Sequence, residues 1–382
     1  MKKSELLEII ALDEDSKHQF KVNVINETSL SQEMIAFSNT LGGILIIGVS
    51  DDGTTSGLTR QDLGRLSNLI SNAASQQVKP PINPITENFI LDGDMVMVVN
   101  IEKGISKPYM DKNGVIWVKS GADKRKATAR EEIQRMYQSA GLLHGDETLV
   151  PRMSSSDINM RVFSDFYEKQ FNESLDDQGL SLKQIFENLN LSKSGVLNIA
   201  GALLFGKNTV YSLPAFVVKC VVYPNNDIDV DSYIDNQDIS GVLKDVFDDT
   251  LAFVLRNLKR VQNNQGVNSV GQLEVPKIVF EELITNALIH RDYFISAAIR
   301  IFIFTNRIEI ISPGHLPNNL TIANIKSGNS NIRNPILASF STNLLPYKGL
   351  GSGILRAIKA YDKIDFEDDR DGNIFKVIIT RD

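Results

Sequence analysis

The sequence predicts an α+β protein of two domains from three features. They are a helix, a Gly-Gly turn and an apolar strand early in the chain, a Gly-, Ser- and Asp-rich stretch near position 150, and a later helix followed by paired strands. A chain of 382 residues allows two or three domains, since single cores rarely grow beyond about 250 residues. Hydrophobic content of 42% and charged content of 23% exclude collagenous, disordered and disulfide-stapled classes. No internal repeat or low-complexity tract interrupts this pattern.

In the first domain, 1–140, apolar residues recur at helical spacing over 3–12 and 31–39, and the run 44–49 reads as a buried strand. A helix over 60–75, a Pro-rich connection at 79–84, a hairpin at Asp92-Gly93, a strand over 115–119 and a closing helix over 127–140 follow. The composition of 141–156, with Pro151, is that of a linker. In the second domain, 157–382, helices are expected over 157–172, 181–188 and 240–261, with a strand over 216–223 and a polar loop over 262–272. Pro276 opens a helix to position 290, strands follow over 298–305 and 307–312, and a long polar loop, 313–348, precedes a last helix and strand.

The opening segment breaks its apolar residues with Glu5, Glu8 and Asp13, unlike a secretory signal, and the runs 43–49 and 215–223 are too short to span a bilayer. A cytoplasmic protein with no membrane partner is therefore expected. Cys220 is the only cysteine, which excludes a disulfide framework and points to core packing. His18, His144 and His315 form no ligand spacing. A net charge of −7 excludes nucleic-acid binding by bulk charge, so any such contact needs a local patch. The candidate is Lys119, Lys124, Arg125, Lys126 and Arg130, opposed only by Asp123; the plainer alternative is a solvated loop and helix start. Trp117 beside it reads as core, or as a surface on which a base stacks.

Glu282, Asn286 and His290 recur every four residues, which stacks acid, amide and imidazole on one helix face. The amide oxygen suits a Mg²⁺ ligand beside phosphates and the carboxylate suits a base for water, although a polar helix face needs no such role. Gly349, Gly351 and Gly353 precede a helical run, 355–360, where backbone N–H groups and the helix N-terminus favour an anion. The loop 313–348 between them has the length of a nucleotide lid.

This order of helix, strands, Pro-Gly turn, lid and Gly-rich loop resembles the Bergerat ATPase superfamily of gyrases, chaperones and histidine kinases. NALIHRDY (286–293), RIEIISPGHLP (307–317), NIRNP (331–335) and GLGSGI (349–354) resemble the branch labelled helicase-like or transcriptional regulator in bacteria, and GALLFGKN (201–208) extends the likeness to about 155–382. The resemblance implies ATP and Mg²⁺ as cofactors. It makes Glu282 the water-activating base, Asn286 the metal ligand and Gly349, Gly351 and Gly353 the phosphate cradle, with His290, Ser312, Gly314 and Arg333 on the same nucleotide and Arg333 on phosphate. Ser312 stands where hydrolysing members carry an adenine-binding Asp, so charge assistance to adenine is missing.

AFSNTLGGILIIGVSDDG (36–53), Phe20-Lys21 and VIWVKSG (115–121) resemble the AlbA-type domain shared with Schlafen proteins, which implies DNA or RNA as partner. The basic cluster would then contact phosphates. Some Schlafen domains cleave RNA with two Glu and an Asp around a metal, and here Glu14, Gln19 and Asp51 or Asp52 fall at similar places, with Gln19 lacking the charge. The expected architecture is a Schlafen AlbA-like domain followed by a Bergerat-type α/β sandwich. The expected function is a regulator, open to homo-oligomerisation, in which nucleotide state tunes DNA or RNA binding. The alternatives are a metal-dependent endoribonuclease in stress or phage defence and a non-catalytic assembly module.

Overall fold

The apolar run after Gly42 shows no polar alternation because both of its faces are covered. In the computed structural model, which describes residues 1–229, 231–262, 271–317 and 320–381, the chain separates into two units, Met1–Leu143 and His144–Asp382. The first is built on a four-stranded sheet in the order His18–Lys21, Gly43–Ile47, Asp94–Ile101, Ile85–Leu91. The first pair is parallel and the others antiparallel. Successive side chains leave a strand on opposite faces. Leu45 and Ile47 accordingly pack with Met34 and Phe37 of helix Glu27–Asn39, while Ile46 packs with Leu6 and Ile10 of helix Lys3–Ala11. The Glu27–Asn39 helix starts before position 31 because Asn26 caps it, accepting the Ser29 N–H at 3.1 Å.

The basic stretch forms a hairpin instead of a loop: Trp117–Ser120 pairs antiparallel with Asp123–Lys126, and the following helix begins at Arg130. Val118 anchors the hairpin in a small core with Ile116, Ala127 and Met136, an apolar hold that a solvated loop lacks.

The second unit carries a six-stranded sheet in the order Asp235–Ile239, Val218–Val222, Ile299–Ile303, Arg307–Pro313, Ile374–Thr380, Ile364–Asp369. Only Val218–Val222 and Ile299–Ile303 are paired in parallel. Ile301, Ile303, Ile308 and Ile310 share a core with Phe280 and Leu283 of helix Lys277–His290 and with Phe253 of helix Leu243–Arg256. Phe302, Phe304 and Ile311 leave on the other face and meet Tyr223. The architecture is thus mixed α and β, with helices layered on a sheet in each unit. Cys220 is buried in the second sheet, and burial pushes its thiol up to about 12, which leaves it a packing residue.

Three expectations give way. The stretch 141–156, read as a linker, holds a turn at Gly145–Glu147 and a strand, Leu149–Ser154, that joins Val196–Asn198 and Ser192–Lys193 in a sheet. Val150 and Met153 are buried there, two apolar residues too few to register as a strand pattern. The helix expected over 240–261 ends at Arg256, and Arg260–Val261 pairs with Gln272–Leu273; of the polar loop expected over 262–272, residues 263–270 lie outside the described residues. The lid 313–348, in which 318–319 also lie outside, contains helices Ile322–Lys326 and Pro335–Leu344, the second opened by a proline at its first position. Among the described residues, no helix is long and apolar enough to cross a membrane.

Candidate functional site

Helix Lys277–His290 buries Val279, Phe280, Leu283 and Ile284, and that burial turns the face bearing Glu282, Asn286 and His290 toward a cleft. The cleft is partly open to solvent, and most of the surface that lines it is apolar, with a few polar groups converging on it, as in small-molecule sites. Ser312 and Gly314 reach it from the end of the Arg307–Pro313 strand, Arg333 from the lid, and Gly349, Gly351 and Gly353 from the loop before helix Gly353–Ala360. All nine residues that the sequence nominated for a nucleotide lie on this one cleft.

Glu282 is almost wholly buried, and its Oε1 pairs with the Arg356 guanidinium at 2.7 Å. Burial raises its carboxyl above the ordinary range, while Arg356 acts in the opposite direction. The Asn286 side chain makes no hydrogen bond among the described residues and borders the cleft. His290 lies 3.5 Å through Nε2 from the Tyr347 hydroxyl; burial, helped by the Arg333 charge, pushes it down to about 4, so it is neutral at pH 7. The Ser312 hydroxyl donates to the Ala287 carbonyl at 3.4 Å.

Gly353 has no room for a side chain: a Cβ there would sit 2.5 Å from Glu282 Oε2 and 3.3 Å from Asn286 Nδ2. Gly351, at φ 69°, would drive a Cβ into the Gly328 carbonyl at the end of the lid's first helix. Ser352 supplies no side-chain cap to helix Gly353–Ala360, so its leading N–H groups have no capping side chain. The helix start is therefore a half-buried row of N–H donors without a side-chain cap, held against an acid and an amide.

Arg333 departs from the expected phosphate contact. Its guanidinium donates to the backbone carbonyls of His290 (3.2 Å) and His315 (2.6 Å), tying the lid to the helix end and to the turn. The cation beside Glu282 is Arg356, which the motif reading missed. Its signal was its place three residues after Gly353, one turn into the same helix. Lys348 is a second missed cation on the cleft.

In the first unit the basic cluster is largely committed elsewhere. Lys119 is buried, with Nζ 3.0 Å from Gln19 Oε1, 3.7 Å from Glu33 Oε2, bonded to the Ala122 carbonyl and over the Phe37 ring. It is a core cation rather than a phosphate contact, because its strand position points it inward. Lys124 pairs with Glu33 at 2.7 Å, Arg125 grips Glu132 through two nitrogens, and Lys126 lies over Trp117. Arg130 is open to solvent, with a side chain 90% exposed and a 3.5 Å contact to Glu131. Glu14 accepts the Phe20 N–H at 2.6 Å and Asp52 is bonded within its own turn to Thr54. Among the described residues, no three His, Cys, Asp or Glu side chains come together as a metal site.

Residues 14–128 match the family described as "Schlafen, AlbA_2", and residues 296–378 match that described as "Putative ATP-dependent DNA helicase recG C-terminal". No curated protein matches the chain. Of solved structures, the DIP2311 protein from Corynebacterium diphtheriae is 19% identical, over 99% of this chain and 80% of that one, with a TM-score of 0.47. The N-terminal domain of a "Putative ATP-dependent DNA Helicase RecG-related Protein" from Nitrosomonas europaea is 21% identical, over 34% of this chain and 97% of that one, with a TM-score of 0.25. The chain thus joins a Schlafen AlbA_2 domain to an ATPase-like domain of the RecG C-terminal family.

Proposed function

We propose that the second unit binds ATP with Mg²⁺ in this cleft and that nucleotide state tunes the binding of DNA or RNA by the first, making the protein a cytoplasmic regulator. The observation that carries the reading is the convergence of nine nominated residues from four segments on one cleft. The side chains suit the ligand: the Asn286 amide is free to hold a metal, the leading N–H groups of helix Gly353–Ala360 favour phosphate, and Glu282, on the same helix face, would orient a water. Bound Mg²⁺ would neutralise phosphate charge. With Ser312 in place of an acid, adenine is held without charge assistance, and slow or absent turnover is expected.

Coupling is supported by what holds the lid. His144 Nδ1 lies 3.2 Å from the Arg333 carbonyl, and Asp146 Oδ2 accepts the N–H groups of Ile336 (2.8 Å) and Leu337 (3.0 Å). Asn334, between them, donates to the Ile289 and Arg291 carbonyls at 2.8 Å. The segment carrying Arg333 on the cleft is thereby bonded to the residues that follow Leu143, where the chain leaves the first unit. A shift of the lid would be felt there. The test is DNA and RNA affinity of the full chain with and without ATP and Mg²⁺, for wild type, Asn286→Ala and Gly351→Ala. Wild type should show an ATP-dependent change that both variants lose; identical behaviour of all three sinks the coupling.

A further inference from the structure

We propose that Arg356 is a phosphate-binding residue of this cleft, its guanidinium bridging the Glu282 carboxylate on one side and the terminal phosphate of a nucleoside triphosphate on the other. The proposal rests on the nucleotide reading above and adds the group that tells a triphosphate from shorter ligands. Three observations carry it. Arg356 borders the cleft with its side chain 35% exposed, so the guanidinium is reachable. One nitrogen, Nη2, is held by Glu282 Oε1 at 2.7 Å, while the buried Nε has no partner. A planar guanidinium carries five donors, and a carboxylate engaging one edge leaves the others directed away from it.

The third observation is what the other cations do. Arg333 spends its guanidinium on two backbone carbonyls. Lys348 is exposed and offers a point charge without a fork. Arg356 alone, among the three, combines access to the cleft with a fixed side chain, and an ion pair to a buried carboxylate supplies that fixation before any ligand arrives. Its backbone is fixed too, since its N–H donates to the Ser352 carbonyl at 3.0 Å. On the nucleotide reading Glu282 orients water toward the terminal phosphate, so a guanidinium bonded to it would lie at that same end of the ligand.

The experiment titrates ATP, ADP and adenosine calorimetrically, with Mg²⁺, into the full chain. It compares Glu282→Gln with Glu282→Gln/Arg356→Met, so that Arg356 is removed without stranding a buried Glu282 carboxylate and the effect of the glutamine cancels. The double variant should bind ATP about tenfold or more weaker than the single one, the usual scale for a charged hydrogen bond, with ADP less affected and adenosine unchanged. Equal ATP affinity in the two variants, or an equal loss for adenosine, overturns the assignment of Arg356 while leaving the nucleotide site standing. Wild type that binds none of the three ligands overturns the nucleotide reading and this proposal together. Melting temperatures of both variants accompany the titrations, and Arg356→Lys, which keeps the charge without the fork, should fall between wild type and loss.

Discussion

Replacing Gly353 by alanine tests the packing that builds the cleft. The added Cβ would lie 2.5 Å from Glu282 Oε2, against roughly 3.5 Å for an unstrained contact, so the carboxylate must retreat by about 1 Å. It has little space to do so, because the Glu282 side chain is 5% exposed and its other oxygen is paired with Arg356. Overpacking of this kind costs about 1–3 kcal/mol. The lost backbone freedom of the unfolded glycine returns about 0.4–1 kcal/mol. The net expectation is a loss of roughly 1–2 kcal/mol, which for a unit of this size lowers the melting temperature by about 2–8 °C. Scanning calorimetry of the full chain measures it, and ATP titration should show weakened binding in parallel. Gly64 is the control: it is exposed inside helix Arg60–Asn72 with nothing within 4 Å of its Cβ position, so Gly64→Ala should stabilise by up to about 1 kcal/mol. An unchanged or higher melting temperature for Gly353→Ala, with normal ATP affinity, would show that the helix start does not press on Glu282.

Asp146 has a carboxyl that burial pushes up to about 6 despite two backbone N–H donors. Its folded value lies above the unfolded 3.8, so its contribution is full below about pH 4 and is lost as pH rises through 6, by up to about 3 kcal/mol. Urea midpoints of wild type should therefore fall relative to Asp146→Asn between pH 4 and 7, and parallel pH profiles would refute the buried carboxyl. Lys119→Met should destabilise the first unit by about 1–3 kcal/mol, the loss being limited because Lys124 still pairs with Glu33. Arg130→Ala should leave stability within about 0.5 kcal/mol while reducing the salt dependence of nucleic-acid binding by about one counterion. Urea unfolding and nucleic-acid titrations at several salt concentrations check the two, and a stable Lys119→Met with a shallower salt slope would restore that residue to the binding surface. Glu282→Gln should abolish whatever ATP turnover a phosphate-release assay detects, and undiminished turnover would remove Glu282 from the role of base.

By itself the sequence determined the local elements of the site. Four-residue spacing placed Glu282, Asn286 and His290 on one helix face, and the glycines at 349, 351 and 353 marked a loop where backbone meets a neighbour, because helical period and missing side chains are properties of a short segment. Only the tertiary structure decided which charges are spent. Lys119 and Arg130 have the same formal charge in one cluster, yet one is buried against Glu33 and the other stands in solvent. Arg333, nominated for phosphate, serves two carbonyls, while Arg356, unnominated, meets Glu282. Likewise 141–156 reads as linker by composition but supplies His144 and Asp146 to the lid. A charged side chain's role is set by the partner it meets in space and by how far it is removed from water, and both follow from contacts between segments distant along the chain.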